Sequence, residues 1–132
     1  MPTTDPRKIE ILLLENNGAD VDLVREHLDL SKIDYNVSVT ARLSDGIEQL
    51  KKRRFDLVLL NLNLPDSCGI DALLSTIEAS TGEAIIALTN ADDEALSLEA
   101  LKLGAKDYLN KYRLNSEDLR RSILLAIERS NL

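Results

Sequence analysis

Short apolar runs alternate with longer amphipathic stretches along this chain, and that alternation constrains the fold more than any other feature. The runs are Ile9–Leu14, Tyr35–Thr40, Phe55–Leu60, Ala84–Leu88 and Asp107–Leu109. Strands separated by helical segments read as βαβ units, because parallel strands need long crossovers and the crossing helices cover both faces of the sheet. The first, third and fourth runs are apolar nearly throughout, which predicts central strands buried on both sides. The second sets Tyr35, Val37 and Val39 against Asn36, Ser38 and Thr40, the alternation of a half-exposed edge strand.

The amphipathic stretches predict a helix after each strand. The first runs from about Asp20 with Val21, Val24 and Leu28 on one face. The second opens at Ser44 as cap and ends in Lys51, Lys52, Arg53 and Arg54, cations suited to the negative end of a helix dipole. The third runs from about Ile70 through Leu73, Leu74 and Ile77, stopping before Gly82. The fourth takes Asn90 as cap, Asp92 and Asp93 in its first turn, Leu96, Ala100 and Leu103 inward, and Gly104 as its stop. The fifth opens at Asn115 or Ser116 and buries Leu119, Ile123 and Ile127. Chains split into several cores only beyond about 250 residues. Residues 1–132 are therefore read as one domain with a single α/β architecture.

Charge narrows the partners. The chain has 16 Lys and Arg against 23 Asp and Glu, a formal net charge of -7. Nonspecific nucleic-acid affinity comes from clustered basic residues releasing counterions, so no nucleic-acid partner is expected. With 3 Tyr, 1 Phe and no Trp, a base-stacking platform is not expected either. Cys68, the one cysteine, forms no intrachain disulfide, and no Cys and His cluster has metal-ligand spacing. The start, Met1–Lys8, is polar and lacks the apolar stretch of a signal peptide. The longest apolar runs fall far short of the roughly 20 residues of a membrane helix, so no membrane partner and a cytoplasmic location are expected.

In a parallel α/β sheet, ligands bind beyond the carboxyl ends of the strands. Glu15, Asn16 and Asn17 follow the first run, Asn61 to Asp66 the third, Thr89 and Asn90 the fourth, and Asn110 and Lys111 the fifth. A carboxylate, several amides, a hydroxyl and an ammonium should thus converge on one edge. The stretches Ile11–Asn17, Asp56–Gly69, Ile85–Thr89 and Gly104–Lys111 resemble the signatures of the receiver domain of two-component response regulators, the CheY-like family. With the order of elements, the resemblance covers nearly the whole chain. It implies a doubly wound, flavodoxin-like, five-stranded parallel sheet of strand order 2-1-3-4-5 with helices on both faces.

The resemblance also implies roles. In that family two acids after the first strand and an aspartate after the third bind Mg²⁺, and the last aspartate accepts a phosphoryl group from a histidine kinase. A hydroxyl after the fourth strand and a lysine after the fifth contact the phosphoryl oxygens, and an aromatic residue of the fifth strand changes rotamer on activation. Glu15 matches the first acid, Thr89 the hydroxyl, Lys111 the lysine and Tyr108 the aromatic switch. Asn16 stands at the second acidic position, Asn61 at the phosphoacceptor position, and Tyr112 where a proline usually follows the lysine.

A neutral amide is neither anionic nor nucleophilic enough to form an acyl phosphate, so Asn61 is not expected to be phosphorylated. Mg²⁺ is a hard cation held through carboxylates; with Glu15 and Lys111 cancelling, weak or absent Mg²⁺ binding and no other cofactor are expected. The resulting expectation is a pseudo-receiver: a phosphorelay-type signalling module, not an enzyme, acting through protein contacts. A histidine kinase or downstream effector would dock on the face of the fourth helix, fifth strand and fifth helix, where Glu99, Lys102, Asp107, Arg120 and Arg121 form a mixed-sign set that also suits a second copy of the chain.

An alternative is a phosphoaccepting regulator using another carboxylate such as Asp66, although its place beyond Pro65 reads as a solvated loop acid. Cys68 reads as a small hydrophobe and His27 as a surface histidine. Asn17-Gly18 is a turn signal. A third reading, a flavodoxin-like binding module for a small anion or nucleotide, ranks last because Glu15-Asn16-Asn17-Gly18 is no glycine-rich phosphate loop.

Overall fold

A computed structural model describes residues 8–130; the polar start read over residues 1–7 lies outside the described residues. Five parallel strands form the principal sheet: β1 (Ile9–Leu14), β2 (Tyr35–Thr40), β3 (Leu57–Asn61), β4 (Ala84–Thr89) and β5 (Asp107–Asn110). They lie in the order β2-β1-β3-β4-β5, with β2 at an edge as its alternation required. The crossovers are α1 (Gly18–Leu30), α2 (Leu43–Lys52), α3 (Gly69–Ala79) and α4 (Glu94–Leu103). A 3₁₀ turn over Lys111–Arg113 leads to α5 (Ser116–Ser130). Between β3 and α3, Asn63–Leu64 pairs antiparallel with Ser67–Cys68 in a small hairpin that the strand reading did not contain.

Because side chains alternate across each strand, the central strands supply two cores. Leu12, Leu14, Val58, Leu60, Ile85 and Ala87 pack in one cluster with Leu43 and Leu50 of α2, Leu73 of α3 and Ala100 of α4. Ile11, Leu13, Leu57, Leu59, Ile86 and Leu88 pack on the other face with Val24 and Leu28 of α1 and with Leu119 and Ile123 of α5. Each fully buried Leu or Ile contributes about 1.5–3 kcal/mol relative to exposure, so this double layer is the main source of stability. At Gly46 of α2 an added Cβ would stand 2.4 Å from Leu14 Cδ2, so that helix lies almost on the sheet.

The helix ends depart from expectation at three places. Helix α1 begins at Gly18, not Asp20, because Asn17 Oδ1 accepts from Asp20 N at 3.1 Å and caps it. Ser44 does not cap α2; Asp66 of the hairpin does so from 22 and 23 residues away, accepting from Ser44 N at 3.0 Å and Leu43 N at 2.8 Å. Asp93, not Asn90, caps α4 by accepting from Leu96 N at 3.0 Å. On that helix Ala100 is buried and Leu96 packs against the core, but Leu103 is exposed rather than inward. Gly104 ends the helix at a φ of 130°, a left-handed value that favours glycine.

Parallel register carries this architecture to the site. Leu14 pairs with Leu60 and Thr40, Asn61 with Leu88, and Thr89 with Asn110. The strands therefore end level, and the residues at their carboxyl ends share one edge.

Candidate functional site

Glu15, Asn61 and Lys111 sit at that edge with 2%, 3% and 3% of their surface exposed. A buried carboxylate and a buried ammonium each carry a large desolvation cost, which close pairing must offset. Lys111 Nζ donates to Glu15 Oε1 at 2.7 Å and to Asp20 Oδ2 at 2.8 Å. Burial acts to lower the Lys111 pKa, but the hydrogen bonds and charges of Asp20 and Glu15 outweigh it and hold the ammonium above its ordinary value.

Asn61 is the second hub. Its Nδ2 donates to Glu15 Oε2 at 3.0 Å, to Asn16 Oδ1 at 3.2 Å and to the Asn63 carbonyl at 3.2 Å. Its Oδ1 accepts from Asn63 N at 3.1 Å. The donor side of the amide therefore faces Glu15, an arrangement a carboxylate of the same shape would turn into a like-charge contact. Glu15 Oε2 also accepts from Asn17 N at 3.2 Å, so both its oxygens are engaged.

The structure brings Glu15, Asn16, Asn61 and Lys111 together around a cleft of about 140 Å³ that Asn17, Asp20, Asn63, Asn90 and Tyr112 also line. Thr89 is at the same edge, yet its Oγ1 accepts from Ala91 N at 3.3 Å and the residue does not line the cleft. Tyr108 packs against the core under α2, α3 and α4, and its hydroxyl is enclosed without a hydrogen-bond partner.

Two members were missed in the sequence. Asp20 looked like an ordinary acid near a helix start, yet it is 7% exposed. Tyr112, noted only as a missing proline, donates its hydroxyl to Asp20 Oδ2 at 3.0 Å, and that bond raises the phenol's pKa. The one available signal was position: with the cap at Asn17, Asp20 falls in the first turn of α1, where it reaches the cleft. Asp20 also corrects the charge account, since two carboxylates and one ammonium leave the cleft at a formal -1 rather than neutral.

The remaining candidates lie elsewhere. Asp66 is exposed and spends both carboxylate oxygens on the α2 backbone, which holds its pKa below the ordinary value. Cys68 is exposed. His27 is half-buried, not a surface residue, and its Nδ1 is enclosed without a partner. On the fourth-helix face, Glu99 and Lys102 are exposed, but Asp107 accepts from Ser122 Oγ and Arg120 donates across to the Ser31 carbonyl at 3.2 Å. No helix among the described residues is long and apolar enough to cross a membrane. No group of three or more His, Cys, Asp or Glu among those residues is arranged to hold a metal ion.

A parallel sheet in this strand order, with its polar side chains gathered beyond the carboxyl ends, defines a doubly wound α/β module whose candidate site lies in that crevice. Residues 11–124 match the family model of the response regulator receiver domain, and the chain belongs to that family, the CheY-like receivers of two-component signalling. It is 35% identical over 99 residues to the regulatory protein LuxO of Vibrio cholerae, covering 75% of this chain and 21% of that protein. It is 31% identical over 103 residues to the cell cycle transcriptional regulator CtrA of Caulobacter vibrioides, covering 78% of this chain and 44% of CtrA. The chain thus spans less than half the length of these relatives.

Among solved structures, the signal receiver domain of an HD domain-containing protein from Pseudomonas fluorescens Pf-5 superposes with a TM-score of 0.83 at 23% identity, covering 98% of this chain and 94% of that one. A CheY-like receiver domain protein from Methanospirillum hungatei JF-1 gives 0.79 at 24%, covering 95% and 98%. At these identities the likeness speaks for the fold.

Proposed function

We propose that this receiver is a pseudo-receiver, signalling through protein contacts without accepting a phosphoryl group at position 61 and without Mg²⁺. The observation that carries the reading is the Asn61 amide, which donates to Glu15 where a phosphoacceptor would need a free anionic oxygen. The same network argues against the metal. Both Glu15 oxygens, Asp20 Oδ2 and Asn61 Oδ1 already accept hydrogen bonds, and a hard cation would have to displace Lys111 to reach the two carboxylates. The residues present do not fit an Mg²⁺ site.

Incubation with acetyl phosphate and Mg²⁺ followed by intact mass measurement should leave the mass unchanged. A phosphoryl adduct would overturn the proposal. An Mg²⁺ titration followed by amide chemical shifts should leave Glu15, Asn16 and Asn61 unmoved. Saturable shifts at those residues would overturn the metal half alone.

The partner would dock on the face of α4, β5 and α5. There Leu98 and Leu101 are exposed one turn apart beside Glu99 and Lys102, a small apolar strip with charges of both signs. A histidine kinase, a downstream effector or a second copy would meet this strip. Leu98→Glu with Leu101→Glu should abolish association measured by light scattering or by capture on the kinase, and unchanged association would remove this face from the proposal.

A further inference from the structure

We propose that Asp20 and Tyr112 form a latch that holds the Lys111 ammonium away from position 61, so that restoring carboxylates at positions 16 and 61 is by itself insufficient for efficient phosphoryl acceptance. The inference deepens the pseudo-receiver reading and rests on it. Lys111 and Asn61 flank the same carboxylate, one on each Glu15 oxygen, at 2.7 and 3.0 Å. Among the described residues Lys111 is also the one Lys or Arg lining the cleft. An anion formed on the position 61 side chain would therefore draw its cationic partner from Lys111.

Asp20 competes for that partner. Its Oδ2 lies 2.8 Å from Lys111 Nζ, and the carboxylate is buried on α1, 91 residues from the lysine in sequence. An ammonium that turned toward position 61 would leave this buried carboxylate without its charge partner, which is strongly unfavourable. Tyr112 tightens the hold. Its hydroxyl donates to the same Oδ2 at 3.0 Å, and its ring lies 5.8 Å from Nζ, so it fixes Asp20 in the position that reaches Lys111. The Tyr112 half of the latch depends on this chain's own sequence, since Tyr112 stands where the family resemblance puts a proline with no hydroxyl to give.

The test compares Asn16→Asp with Asn61→Asp in one chain against the same pair combined with Asp20→Asn or Tyr112→Phe. With acetyl phosphate and Mg²⁺ in the buffer of every arm, an introduced carboxylate at position 61 attacks phosphorus, the bond from phosphorus to the acetyl oxygen breaks, and acetate leaves with the electron pair. Intact mass over time gives the rate. Asp20→Asn should raise that rate about tenfold, as expected for losing one charge-assisted hydrogen bond, and Tyr112→Phe should raise it less. Equal rates with and without these changes would overturn the latch.

A purely structural role is separated by the Lys111 ammonium itself. In the unsubstituted protein its ammonium protons should exchange slowly by nitrogen-detected NMR, and Asp20→Asn should speed that exchange while the amide spectrum of β1 and β3 stays put. Unchanged ammonium exchange would also overturn the latch. If Asp20→Asn does not fold, Tyr112→Phe carries both readouts, because it removes one hydroxyl from a ring that is 58% exposed. A phosphoryl adduct on the unsubstituted chain would instead count against the proposed function.

Discussion

At the two ends of the principal sheet, buried carboxylates are satisfied in different ways. At the amino end Glu83 is 5% exposed, and its oxygens accept from Thr81 N at 2.6 Å and Phe55 N at 3.3 Å. Beside it Asp56 accepts from Glu10 N at 2.8 Å. The Thr81 hydroxyl adds long contacts to Glu83 at 3.3 and 3.4 Å, but the other partners are backbone N–H groups that almost any sequence would provide, and the carboxylates act as braces between a loop and the next strand. At the carboxyl end Glu15 and Asp20 instead share a buried lysine that reaches them across 96 and 91 residues of chain. A brace has no need of a buried cation with its desolvation cost. The contrast sets the carboxyl end apart as the candidate site and the amino end as construction.

The sharpest break of this comparison is Lys111→Met. It should leave Glu15 and Asp20 as uncompensated buried carboxylates and cost about 3–5 kcal/mol in urea unfolding. Glu83→Ala should cost less, about 2 kcal/mol, because it leaves two backbone donors without acceptors but no stranded charge. If Glu83→Ala proves the more damaging, the amino end is the more strained polar centre and the contrast fails.

Alkaline pH sharpens the same point. The Lys111 pKa is raised in the folded state, so the stability it contributes is fully present below the lysine's ordinary value of about 10.4 and disappears as pH rises through the folded value. Unfolding free energy measured between pH 8 and roughly 11 should therefore fall more steeply for the unsubstituted chain than for Lys111→Met. Parallel profiles would mean that the ammonium is not the group holding this end together.

How legible these two ends were in the sequence differs for a physical reason. The strand order and the level strand ends depend on apolar runs and parallel pairing, so Glu15, Asn61 and Lys111 were readable as neighbours. Asp20 was not, because an acid in the first turn of a helix is ordinary and only the true start at Gly18 turns it toward the cleft. Thr89 was placed at the correct edge, but the Ala91 amide takes its hydroxyl, a turn contact that no periodicity announces. The caps of α2 and α4 failed similarly: Ser44 yields to an acid from a hairpin invisible to strand patterning, and Asn90 yields to Asp93 three residues on.

Asp66 puts the smallest pressure on the comparison and is the most exacting case, because it lies just past β3 yet behaves as the amino-end acids do. Both its oxygens accept from backbone N–H groups, those of Leu43 and Ser44, so its partner type and not its place in the sheet should decide its role. Asp66→Ala should lower stability at neutral pH by about 1 kcal/mol, the usual cost of a lost helix cap. Because the hydrogen bonds to Leu43 and Ser44 hold its pKa below the ordinary value, its contribution is present above about pH 4 and is lost as pH falls through the folded value. Thermal melts of the two chains should therefore differ at pH 7 and converge as pH falls through the folded value. A difference that persisted in acid would show that Asp66 stabilises by something other than its charge, while acyl phosphate on Asp66 by mass mapping would move it from brace to site.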